Sequence, residues 1–216
     1  MLRGLFVTGT DTDVGKTVAA AALLHRYRDR ALRYWKPVQT GIEQDDDARE
    51  VRRLAGCPVT EGLRFRGAVS PHLAAKWAGE TITIDRLCAP ALTWPPETRW
   101  IVEGAGGVLV PLNDRDLMID LIRVLDLPVV IAARSALGTI NHTLLTLEAL
   151  RARSLRVAGV ILIGEPDAGN RAAIERYGAV AVLGEMPVFR PLQPPAVADW
   201  AAAALDADAR LAEFLA

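Results

Sequence analysis

Between an apolar run at residues 2–7 and an alanine- and leucine-rich run at residues 18–24 lies the segment G-T-D-T-D-V-G-K-T, residues 9–17. A strand that turns through glycines straight into a helix leaves few folds open, because the turn must gather backbone N–H groups at the helix N-terminus. Gly9 and Gly15 free the backbone from Cβ clashes there, and the helix adds the positive end of its dipole. The pattern specifies a polyphosphate. Lys16 would reach the β- and γ-phosphates, and Thr17 would offer its hydroxyl to magnesium. Five residues separate Gly9 from Gly15, so the loop is longer than the commonest form, which has four.

The rest of the chain repeats the same alternation. Short apolar runs predict strands at residues 5–8, 32–36, 100–103, 129–133, 157–163 and 180–183. Helical periodicity predicts helices at 16–30, 48–54, 117–125, 139–152, 170–177 and 196–215. Strand and helix in alternation imply an α/β fold with a mostly parallel central sheet and helices on both faces. At 216 residues the chain suits one domain, 1–216, with a core large enough to need no staples. The unbroken apolar runs at 129–133 and 160–163 predict central strands. In such a sheet ligands sit beyond the carboxyl ends of the strands.

A net charge of -1 offers no global attraction to nucleic acid or to an anionic membrane, so any anion must be held by a local site. Cys57 and Cys88 have no metal or redox spacing and read as reduced thiols. Apolar stretches are too short or interrupted to span a bilayer, which makes the cytoplasm the expected location. Only Lys16, Lys36 and Lys76 are lysine, all other basic residues being arginine. A retained lysine therefore marks a place for a compact ammonium. Lys36 is predicted at the end of the second strand, with Pro37 stopping the ladder, as a second cation beside the γ-phosphate. Asp47 closes an acidic run, and Glu103 is delivered by an apolar strand just before Gly104-Ala105-Gly106-Gly107. Magnesium takes oxygen ligands, commonly one or two carboxylates plus phosphate, so Thr17, Asp47 and Glu103 form a coherent set. Ser70 and His72 lack the partnered acid that nucleophilic catalysis would need.

In order along the chain, several segments resemble the dethiobiotin synthetase family: residues 9–17, K-P-V-Q-T-G at 36–41, the region of Asp47, S-P-H at 70–72, V-E-G-A-G-G at 102–107, L-G-T-I-N-H at 137–142 and G-E-M-P at 184–187. The resemblance implies a single-domain P-loop NTPase fold and an ATP- and magnesium-dependent ligase of biotin synthesis. In that chemistry carbon dioxide forms a carbamate on one amine of 7,8-diaminopelargonate, and ATP phosphorylates it to a carbamic-phosphoric anhydride. The other amine then closes the cyclic urea of dethiobiotin with loss of phosphate. The resemblance makes Lys36 catalytic together with Lys16, and gives Thr40 a substrate contact. It assigns the nucleotide to Thr12, Asp13, Val14, Gly15, Lys16, Thr17 and Val18, to Asp47, and to Glu103, Gly104, Ala105 and Gly106. Ile163, Gly164, Pro187, Val188 and Phe189 complete that set, and Thr17, Asp47 and Glu103 carry the metal. Gly138, Thr139, Ile140 and Asn141 would reach the substrate of a neighbouring subunit, which implies a homodimer with sites at its interface. A Lys36→Ala variant is expected to fold normally and to lose activity by roughly 10³-fold or more.

One departure carries its own expectation. The family often has an asparagine for adenine where Ile163 stands, so relaxed preference among nucleoside triphosphates is expected. Two rival readings share the phosphate loop. A switch NTPase of the partition type would have a signature lysine where Asp11 stands and often a basic last helix, whereas residues 196–216 are alanine-rich and acidic. A small-molecule kinase would use the same two lysines and release a stable phosphoester.

Overall fold

Apolar runs separated by helical segments call for a parallel sheet covered on both faces, and the computed structural model, which describes residues 2–215, has one. Its strands are β1 (Arg3–Gly9), β2 (Arg33–Gln39), β3 (Val59–Arg64), β4 (Arg99–Gly107), β5 (Val129–Arg134), β6 (Val157–Ile163) and β7 (Val182–Met186). They form a single sheet in the order β3-β2-β4-β1-β5-β6-β7, every pairing parallel. From β1 the chain moves one way, to β2 and β3, then returns through β4 and proceeds the other way through β5, β6 and β7. That reversal opens a crevice at the carboxyl ends of β1 and its neighbours.

Alternation along the strands sorts side chains to the two faces. Leu5, Val7, Tyr34, Ile101, Val130 and Ile161 pack with α1 (Lys16–Arg26), α2 (Asp47–Ala55) and α8 (Pro194–Ala204). Phe6, Trp35, Trp100, Val102, Ile131 and Leu162 pack on the other face. There they meet α3 (Pro71–Trp77), α4 (Ile84–Cys88), α5 (Met118–Leu125), α6 (Thr139–Arg151) and α7 (Ala168–Gly178). Both free edges of the sheet are managed. β3 is a short, half-buried edge strand, while Leu183 and Glu185 of β7 have their carbonyls taken by the Asp206 N–H at 2.7 Å and the Trp200 indole at 3.2 Å.

Several boundaries differ from the sequence expectation. β3, α3 and α4 were not predicted. α1 stops at Arg26, and Arg28–Arg30 form a 3₁₀ turn. The predicted helix at 196–215 is broken: α8 ends at Ala204, and a 3₁₀ segment, Arg210–Leu215, follows. The cause is Asp206, whose buried carboxylate accepts the N–H groups of Arg210 at 3.0 Å and Leu211 at 2.8 Å and the phenol of Tyr27. A chain that turns back to satisfy a buried carboxylate cannot continue as helix. Pro37 does not end β2, which runs on to Gln39 beside β3. Its ladder with β4 ends at Trp35 opposite Val102, so the missing N–H of Pro37 falls where β2 has only one neighbour. The segment from residue 63 to 96 packs on the sheet through Phe65, Ala74, Ala75, Ile82 and Leu87. Among the described residues, both cysteines are free and no helix is long and apolar enough to cross a membrane.

Candidate active site

The phosphate loop fills the turn between β1 and α1. Gly15 is the N-cap of α1 at φ 91, and no side chain caps the helix, so its first N–H groups are left to an outside acceptor. A Cβ on Gly15 would sit 3.0 Å from Ile163 Cδ1, and the left-handed backbone suits glycine alone. Asp13 also adopts a left-handed conformation, at φ 52, which lets the extra residue of the loop turn back. Lys16 is buried and folds over the loop, its ammonium donating to the Asp11 carbonyl at 3.0 Å. Burial pulls its pKa below the ordinary lysine range, against the attraction of Glu103.

Where β2 and β4 part, two strand faces deliver their polar residues toward α1. Tyr34 and Lys36 point to the α1 side of β2, and Glu103 to the α1 side of β4. Asp47 begins α2, positioned by its neighbour Asp46, which caps the helix by accepting the Arg49 N–H at 2.9 Å and is held by Arg64 at 2.8 Å. The side chain of Gln39 donates to the Asp45 carbonyl at 2.8 Å and fastens the approach to that helix.

These elements assemble a compact ionic cluster. The Lys36 ammonium lies 2.5 Å from Asp47 Oδ2 and 2.8 Å from Glu103 Oε1, and donates to the Gly104 carbonyl at 3.0 Å. The Thr17 hydroxyl lies 2.8 Å from Asp47 Oδ1 and 3.1 Å from Glu103 Oε1. Since a hydroxyl has one proton, only one of those carboxylates can accept it at a time. Tyr34 donates its phenol to Glu103 Oε2 at 2.8 Å. Lys16 and Lys36 balance Asp47 and Glu103, so the buried group carries no net charge, as buried ions require. Burial works against the charge of Lys36, but Glu103 and Asp47 outweigh it and raise its pKa. Burial would lift Asp47 too, yet Lys36 brings it below the usual carboxylate range, whereas for fully buried Glu103 desolvation wins and its pKa rises. Burial, reinforced by Glu103 and Asp47, pushes the Tyr34 phenol well up.

The metal set expected from the sequence, Thr17, Asp47 and Glu103, is thus brought together. All its donors are oxygens, two of them carboxylates already arranged around a cation, the Lys36 ammonium. The set suits magnesium that arrives with phosphate oxygens. Among the described residues no cluster of three or more histidine, cysteine or acidic side chains would hold an ion unaided.

Other expected residues fall around this centre. Thr40 leads into Gly41, whose N–H donates to the Gly67 carbonyl at 3.0 Å, so the loop after β2 rests on residues 67–68. Ile163 ends β6 beside the end of β7 and Gly164 follows it, its N–H meeting the Met186 carbonyl at 2.8 Å where Pro187, Val188 and Phe189 begin. Ile163 presents its side chain to Gly15 and offers no polar group. Gly138 is the N-cap of α6; the Thr139 hydroxyl is buried with no partner among the described residues, while Asn141 is exposed. Ser70 Oγ lies 3.0 Å from His72 Nδ1, and among the described residues no carboxylate hydrogen-bonds that ring. Sequence reasoning missed Tyr34. Nothing in R-Y-W-K-P-V-Q sets that tyrosine apart from Trp35 beside it, so no local signal could have found it.

A family profile described as AAA domain matches residues 3–196. The chain is 45% identical over 195 residues to the ATP-dependent dethiobiotin synthetase BioD of Agrobacterium fabrum, covering 88% of this chain and 89% of that one. It is 44% identical to the protein of the same name from Brucella ovis, with 88% of each covered. It is also 46% identical to the biotin biosynthesis bifunctional protein BioCD of Bordetella avium, over 92% of this chain and 42% of that protein. Among solved structures, a ParA family ATPase from Chlorobium tepidum superposes with a TM-score of 0.59 at 11% identity, covering 93% of this chain and 98% of that one. The signal recognition particle receptor FtsY from Elizabethkingia anophelis gives 0.57 at 14% identity, covering 93% and 65%. At such identities those two show the fold alone.

Proposed function

The chain belongs to the ATP-dependent dethiobiotin synthetase family, and on that premise we propose that it closes the ureido ring of dethiobiotin from 7,8-diaminopelargonate and carbon dioxide with ATP. The observation that carries this reading is the buried cluster in which Lys36, in the middle of β2, joins that strand to Asp47 and Glu103 beside the phosphate loop. The reaction brings an anionic carbamate to an anionic γ-phosphate, so its main demand is charge neutralisation and alignment.

Lys16 neutralises the phosphate side, and Lys36 stands where the acceptor must approach. A carbamate oxygen attacks the γ-phosphorus and ADP leaves. The second amine then attacks the carbamoyl carbon, phosphate departs, and the ring nitrogen gives up its proton. Thr17, Asp47 and Glu103 would hold magnesium, which when bound with the nucleotide neutralises phosphate charge. Thr40 contacts the diamine, and Thr12 through Val18 with Gly104, Ala105 and Gly106 surround the phosphates. Ile163, Gly164 and the stretch from Pro187 to Phe189 form the base side. That side has an isoleucine where a polar partner would read the base, which supports relaxed choice among nucleoside triphosphates.

The site is completed, in this reading, by a second copy of the chain. Gly138, Thr139, Ile140 and Asn141 start α6 at an exposed corner, beside a fully exposed Leu137 and a Leu145 that is 55% exposed. Apolar side chains in that position favour burial against a partner subunit. The enzyme is taken to act in the cytoplasm as one domain spanning 1–216, with neither nucleic acid nor membrane as partner.

The test is incorporation of labelled bicarbonate into acid-stable product with diaminopelargonate, magnesium and ATP. Incorporation by the wild type that disappears in Lys16→Ala is the expected result. Phosphate release without incorporation would return the chain to the switch reading, and a stable phosphoester to the kinase reading.

A further inference from the structure

Glu103 has two oxygens in different company. Oε1 faces Lys36 at 2.8 Å and Thr17 at 3.1 Å, while among the described residues Oε2 accepts only the Tyr34 phenol, at 2.8 Å. Both Tyr34 and Glu103 are wholly buried. We infer that Tyr34 is a positioning residue for the metal-nucleotide site: by holding Oε2 it fixes the carboxylate plane and reserves Oε1 for the cation side.

The need for such a group follows from the position of Glu103. The terminal torsion of a glutamate is soft, so a carboxylate held on one side only could turn and present either oxygen, or both, to Lys36. A buried carboxylate oxygen without a donor is also costly. Tyr34 removes both problems, because the strand pairing sets Tyr34 opposite Ile101, two residues before Glu103 and on the same face. A phenylalanine would fill the same space on the α1 face. The hydroxyl is therefore the part that packing does not explain, and it points at one atom. Outer partners that orient a ligand in this way govern affinity for the metal more than for the rest of the ligand.

This inference rests on the reading of Glu103 as a magnesium carboxylate, and the test separates the two. Calorimetry would measure ADP affinity in EDTA and in excess magnesium for the wild type, Tyr34→Phe and Trp35→Phe, the last trimming the opposite face of the same strand. The wild type should gain affinity with magnesium, and a wild type without that gain would overturn the metal reading itself. Tyr34→Phe should bind metal-free ADP as the wild type does and lose about 10- to 100-fold of the magnesium-dependent gain. Trp35→Phe should keep the gain. A full gain in Tyr34→Phe would overturn the role of Tyr34. So would a parallel loss of metal-free and metal-dependent binding, or failure to fold, since either makes the residue structural.

Discussion

The carboxyl ends of β1, β2 and β4 and those of β5, β6 and β7 differ in how much they have settled before any ligand arrives. At the first group Lys36, Glu103, Asp47, Thr17 and Tyr34 are joined by contacts of 2.5 to 3.1 Å, and Lys36 and Glu103 are buried. At the second, Asn141 and Val188 are exposed, Ile163 offers no polar group, and the Thr139 hydroxyl has no partner among the described residues. Charge explains the difference. Ions taken out of water must be paired within the chain or the fold fails, so the end that carries the ionic cluster is organised in advance. The other end holds no buried ions and carries no such cost, and under the proposed function it can wait for a nucleotide or a second subunit.

The largest expected effect attacks the preorganised end. Lys36→Ala should lower kcat by about 10³-fold or more, as removal of a γ-phosphate cation does. Its burial revises the expectation of normal folding. The variant leaves Asp47 and Glu103 facing one another, and breaking a buried pair from one side costs about 3–5 kcal/mol. A thermal melt should therefore show a loss that excess magnesium and ADP together largely restore. Unchanged stability without magnesium would mean that the cluster is no more organised than the open end.

The second test addresses the open end. Asn141→Ala should raise KM for diaminopelargonate by about 10- to 100-fold, the loss of a hydrogen bond to a charged group, and leave metal-nucleotide affinity unchanged. If the site spans two subunits, mixing Asn141→Ala with Lys36→Ala should restore about a quarter of wild-type activity, because half the dimers then contain one intact site. Mixtures no more active than their components would place each site within one chain.

The same contrast governs what could be read from the sequence. Chemistry confined to a loop was legible: Gly9 to Thr17 announced the phosphate site because glycines, Lys16 and the following helix sit side by side. Asp47 and Glu103 were legible as candidates, but their meeting depends on a strand order, β2-β4-β1, that no local pattern reveals. Tyr34 was invisible because its partner lies 69 residues away. β3 escaped because V-T-E-G-L-R at a half-buried edge has neither an apolar run nor clean alternation. The break after Ala204 escaped because an alanine-rich run continues as helix unless a buried acid such as Asp206 calls the chain back.

A smaller effect is expected at the base side. With Ile163 at the end of β6, CTP and GTP should support turnover at saturation, and Ile163→Asn should shift preference toward ATP by about 3- to 10-fold, the worth of one net hydrogen bond. A strict ATP requirement in the wild type would show that the outer end is as finished as the inner one.

The smallest effect tests what holds the inner end in place. Asp46 is not part of the ionic cluster, yet it caps α2 and so sets the start of the helix that carries Asp47. Asp46→Ala should cost about 1 kcal/mol, the usual worth of such a cap. Burial would raise its pKa, but the Arg49 N–H and Arg64 outweigh burial and hold it below the usual carboxylate range. Because the folded carboxyl titrates lower than the unfolded one, its contribution is complete above the ordinary aspartate value of about 3.9 and fades as the pH falls through the folded value. The stability gap between wild type and Asp46→Ala should therefore stay constant from about pH 7 to pH 5 and close only below about pH 4. Denaturant melts across that range would measure it, and a gap that closed near neutrality would assign the loss to some group other than this carboxylate.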